Sequence, residues 1–294
     1  MTITLTLPAS EDDKARILRI TALMMRMPMG KAIMEQAADL RRNGVSELTI
    51  SFNRQMGDTY GLCQRSGSVC AISLSPHVSD AALAGVLLHE MRHAYQPVYF
   101  PDAYGEDMAR LGVARMRLKE GDAFTHHFCA ILDSPDASVR NEGFAMIAGK
   151  LPPEMQELYH EQAQAWTAAQ TTAQKQAVMH DVFWLLQATR FGKYDTDLIN
   201  QIRVMQEGNT LRPMKQSAFE GTLHLAVDIE LLPGLLPDSR DSAYLGDDHT
   251  KTAQTLLRVA QTAEMHFDRL SVIEYDDTLP YSKPSGNDSL KFGR

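Results

Sequence analysis

Residues 79–97 read SDAALAGVLLHEMRHAYQP, and the fold is read outward from them. Ser79 and Asp80 offer an N-cap, the following apolar residues fall on nearly every face, and Pro97 stops the run. The stretch therefore predicts a helix buried on most of its circumference. Inside it, His89, Glu90 and His93 form H-E-x-x-H. Four residues advance a helix by roughly 6 Å and a little over one turn, so both imidazoles leave one face and can share a tetrahedral metal. Zinc suits neutral imidazole, and Glu90 can reach a metal-bound water without entering the coordination sphere, which makes it the general-base position. Without a metal, each buried ring would need its own partners for a donor and an acceptor.

A catalytic zinc needs a third protein ligand and an open position. A Tyr/Pro/Asp loop follows Pro97, and a second helix is predicted from about Glu106 to Leu132. On it Glu120 shares a stripe with Val113, Met116, Ala123 and His127, so its carboxylate faces the interior, where a metal is an economical partner. Small Gly121 and Ala123 permit close approach of the two helices. Asp102, Glu106, Asp107, His126 and His127 are the competing third ligands. Tyr95, Tyr99 and Tyr104, just past the motif, are the candidates for stabilising a developing oxyanion.

The order of these parts resembles the H-E-x-x-H zinc metallopeptidases of gluzincin type, whose third ligand is a glutamate on the helix after the motif helix. Strand (GSVCAISLSP), motif helix (LLHEMRHAYQ) and ligand helix (KEGDAFTHHF) follow the plan of minimal gluzincins, and most resemble a group of uncharacterised bacterial metallopeptidase domains. Glu120, Asp122 and Ala123 match that group's E-x-D-A pattern. The resemblance covers roughly residues 45–133. It implies a zincin-like core in which His89, His93 and Glu120 hold one Zn2+ and Glu90 activates the bound water for peptide hydrolysis. It also implies that the strand Val69–Leu74 pairs with an extended substrate by edge addition. Where larger gluzincins carry an Asp that orients a zinc histidine, this chain has Phe124, and Asp122 is the candidate substitute.

Around this core, Ile3, Leu5 and Leu7 alternate as a short strand, and Ile17, Ile20, Met24 and Met27 keep helical spacing up to Pro28. Ile33, Ala37 and Leu40 resume that spacing until Asn43-Gly44. Between Glu47 and Ser75, the β-prone runs LTISF and VCAISL are separated by turn formers, predicting a small antiparallel meander. The fold class is α+β: a small antiparallel sheet packed on the motif and ligand helices, then a mainly α-helical C-terminal half that includes Val178, Val182, Leu185 and Ala253–Phe267. Domain boundaries are expected at 1–134, 135–279 and a flexible tail at 280–294.

The 294 residues hold 37 acidic and 29 basic side chains, a net charge of −8, which disfavours a general binder of nucleic acid or anionic membranes. Cys63, Cys70 and Cys129 show no C-x-x-C spacing, so neither a disulfide framework nor a thiolate zinc site is indicated. With no signal peptide or apolar stretch of ~18 residues, the expected compartment is the cytoplasm, with secretion by another route left open. The expected partner is a peptide or protein substrate; sequence leaves the oligomeric state open. A metal-stabilised interaction module and a non-peptide zinc hydrolase are the competing functions.

Overall fold

The computed structural model describes residues 4–8, 10–35, 40, 44–57, 59–96, 104–189 and 243–245, with side chains described except at 104–116, 188 and 243. Strand β1 (Thr4–Thr6) leads into helices α1 (Glu11–Met25) and α2 (Pro28–Glu35), followed by strands β2 (Glu47–Phe52), β3 (Gly61–Ser66) and β4 (Val69–Leu74). The helices α3 (Asp80–Tyr95), α4 (Tyr104–Leu132), α5 (Ala137–Ala148), α6 (Pro153–Ala168) and α7 (Thr172–Thr189) come next, with a 3-10 turn at Ala243–Leu245. The protein is α+β, with a small sheet and mostly helical content.

Local chemistry sets these boundaries. Ser10 caps α1 by accepting from the Asp13 amide, and Glu11, Asp12 and Asp13 fill the first turn, where the helix dipole favours anions. Pro28 begins α2, a position at which its missing N–H costs nothing. The left-handed φ of 58° at Gly67 allows the tight turn joining β3 to β4.

The sheet differs from the expected antiparallel meander. Its order is β1-β2-β4-β3; β1–β2 and β2–β4 are parallel, and only β3–β4 is antiparallel. The chain leaves β2, passes beyond the place beside it to lay down β3, and returns as β4 in the gap. Side-chain polarity explains the choice. Cys70, Ile72 and Leu74 of β4 are at most 1% exposed, whereas β3 carries Gln64 and Arg65 and suits an edge. The strand Val69–Leu74 is therefore central, and the edge beside α3 is β3. Leu48 and Ile50 of β2 join the buried face, on which α1 and α3 pack.

Contacts divide the chain into two compact units. The first comprises residues 1–97, 122–182 and 291–294 and holds the sheet, α1 to α3, α5 and α6. Its core includes Ile17, Ile20, Ile72, Leu83 and Leu87, all fully buried, each such side chain contributing roughly 1.5–3 kcal/mol of transfer free energy. The second comprises residues 98–121 and 183–290. There, buried Arg117 donates to the Gln187 carbonyl and side-chain oxygens, and Gln187 Nε2 donates back to the Arg117 carbonyl at 3.0 Å. Gly121 leaves room for Phe183 and Gln187, and α4 runs unbroken through it. The predicted helical residues 253–267 and tail 280–294 lie outside the described residues.

Candidate metal centre

Helix α3 is fixed at both ends. Ser79 caps it by accepting from the Ala82 amide at 3.2 Å, and its hydroxyl donates to Glu142. Asp80 receives Arg16 Nε at 2.6 Å, while the same guanidinium donates to the Pro76 and Val78 carbonyls. At the other end, the Tyr95 hydroxyl donates to the Ile33 carbonyl at 2.5 Å, tying α3 to α2. In this arrangement the Tyr95 phenol joins the packing of two helices. Tyr99 and Asp102 lie outside the described residues, as do the side chains of Tyr104, Glu106 and Asp107.

Helical spacing brings His89 and His93 together, with their Nε2 atoms 3.0 Å apart and ring centroids 4.7 Å apart. Glu120 of α4 completes the group: the three ligand atoms all lie within 4.8 Å of one another. Two nitrogens bound tetrahedrally at about 2.0–2.1 Å would stand roughly 3.3–3.4 Å apart, close to the separation present. Two imidazole nitrogens and a carboxylate oxygen are also a donor set that a borderline cation takes. This His/His/Glu cluster could hold a metal ion. Among the described residues, it is the one group of at least three His, Cys, Asp or Glu side chains with ligand atoms so close.

The competing histidines of α4 have other surroundings. His126 Nδ1 lies 2.8 Å from the Asp122 carbonyl, and His127 packs where a Cβ on Gly85 would collide with its ring. Phe124 meets His89 edge-on at 4.3 Å between centroids. Phe124 therefore packs an aromatic ring against one candidate ligand.

Asp122 is fully buried and accepts from Arg92 Nε at 2.7 Å, Arg92 Nη2 at 3.2 Å and Gln96 Nε2 at 2.9 Å. Burial pushes its pKa up, but the charge of Arg92 and then that of His126 outweigh this and hold the carboxyl far below its ordinary range. An acceptor-only carboxylate cannot donate to an oxyanion. Asp122 instead reaches the cluster through Gln96, whose Oε1 lies 2.9 Å from His93 Nδ1. Sequence reasoning passed over Arg92 and Gln96, although a charged residue inside H-E-x-x-H on a buried helix signals a buried counter-ion.

Glu90 is 5% exposed and backs onto the start of β3. A Cβ at Gly61 would stand 2.5 Å from Glu90 Oε1, so only glycine lets the strand pass this close to the carboxylate. The spacing of H-E-x-x-H carries no signal for this neighbour.

Residues 31–107 match the sequence model of the SprT-like family, whose members are metallopeptidase-like and carry an H-E-x-x-H motif. The match spans α3 and the three motif residues and ends before Glu120. It relates this part of the chain to zinc-metallopeptidase-like domains without naming gluzincins. No curated protein and no solved structure matches the chain. Among the described residues, no helix is long and apolar enough to cross a membrane.

Proposed function

We propose that this protein is a zinc-dependent peptidase of gluzincin type, in which His89, His93 and Glu120 hold the ion and Glu90 is the general base. The convergence of those three ligand atoms beside a buried glutamate carries the reading. Zn2+ bound there would supply Lewis-acid chemistry, polarising a carbonyl and bringing the pKa of a water towards ~7. Glu90 takes the proton from the attacking water and returns it to the leaving amine, and its closeness to Gly61 limits where the carboxylate can swing. An extended peptide adds to the edge strand β3, its backbone pairing with the strand while its scissile carbonyl lies near the Glu90 end. The substrate class is therefore a peptide or an unfolded protein segment, and the cytoplasm is the compartment this reading assigns to the reaction.

Casein or a peptide library, incubated with the zinc-loaded full chain, tests this reading. Hydrolysis is expected from the wild type. Glu90→Gln should keep its zinc while losing about 10²–10⁴-fold in rate, and His89→Ala should lose both metal and activity. Undiminished hydrolysis by Glu90→Gln would overturn the base assignment.

A further inference from the structure

Gln96 sits at the C-cap of α3, three residues past His93, and is 2% exposed. A primary amide has one end that accepts and one that donates, so its neighbours decide which way it faces. On one side stands Asp122, whose oxygens already receive two N–H groups from Arg92 and therefore act as acceptors. The Gln96 NH2 must face it, and does at 2.9 Å. The amide oxygen is thereby turned towards His93 Nδ1, also at 2.9 Å. An oxygen can only accept, so the proton between them belongs to the imidazole.

We infer that Gln96 is a positioning residue that fixes His93 as its Nδ1–H tautomer, so that the lone pair of Nε2 is presented to the cation before any ion arrives. The order of influence runs from Arg92 through Asp122 and Gln96 to His93, across both helices of the site. Supporting hydrogen bonds of this kind set tautomer and ring orientation in metal-ligating histidines. With its Nδ1 proton held by Gln96, His93 directs the Nε2 lone pair to the point it shares with His89 Nε2, 3.0 Å away. The inference deepens the zinc reading and rests on it for its purpose, but the tautomer itself can be read without metal.

Nitrogen-15 NMR of the metal-free full chain with labelled histidine reads this directly, with His93→Gln assigning the resonance. The Nδ1–H form is expected for His93. Gln96→Met, which keeps side-chain length and removes both amide functions, should shift His93 towards a tautomer mixture. It should also weaken zinc affinity by about 10–100-fold in competition with a chromophoric chelator. Gln96→Glu keeps an acceptor for His93 and should retain the Nδ1–H form, separating orientation from general damage. An Nε2–H form of His93 in the wild type would overturn the inference. So would Gln96→Met with an unchanged tautomer and zinc affinity within twofold of wild type. If the tautomer is as stated while zinc fails to bind, the peptidase reading falls and the positioning of His93 stands.

Discussion

Helices α3 and α4 both contribute to the candidate site, but their contributions are specified at different ranges. On α3, His89 and His93 meet because 3.6 residues make a turn, and nothing beyond the helix is needed to put them on one face. On α4, Glu120 reaches them only if the two helices cross in one register. That register depends on Arg92 with Asp122 and on Gly85 yielding space to His127. A short-range pattern can be read from one segment, whereas a crossing is a property of two.

The strongest way to break this comparison is Asp122→Ala. It leaves Arg92 buried without its carboxylate and should cost about 3–5 kcal/mol in urea unfolding, with a loss of zinc affinity that exceeds any change in helix content. Asp122→Asn refines the test through pH. Because the folded-state pKa is depressed below the unfolded value of about 3.9, wild type's advantage over the variant is complete above pH ~4. It should shrink as pH falls below that value. An advantage independent of pH would remove the charge from the account.

Gly61→Ala probes α3 alone. The added Cβ displaces the Glu90 carboxylate, so kcat should fall about 10²-fold while zinc content stays at wild-type level. Loss of the metal instead would tie β3 to the ligands and not to the base. Gly85→Ala probes the crossing by packing: the new methyl meets the His127 ring, and a destabilisation of about 1–3 kcal/mol is expected in thermal unfolding. Zinc affinity should weaken with it, since α4 must shift to relieve the clash.

Much of the fold was legible because its signals are local. The cap at Ser79, the break at Pro28 and the extent of α4 agree with apolar period and capping chemistry. Strand order was not legible from alternation alone, since only LTISF and VCAISL stood out as β-prone and a meander is the shortest connection between neighbouring runs. The usable signal was polarity: Gln64 and Arg65 point to an edge, Cys70, Ile72 and Leu74 to a centre. At the site, H-E-x-x-H and the inward stripe of Glu120 identified the residues that converge. Gln96 and Gly61 stayed hidden because their roles arise from tertiary neighbours 26 and 29 residues away in sequence, Asp122 and Glu90 respectively.

Metal stoichiometry is the most direct test of the central claim. Native mass spectrometry of the full chain, loaded with zinc and desalted, should find one ion per chain in the wild type and in Glu90→Gln, and none retained in His89→Ala or Glu120→Ala. A wild-type chain that carries no zinc, or a Glu120→Ala chain that holds it as tightly as wild type, would contradict a cation gripped jointly by α3 and α4.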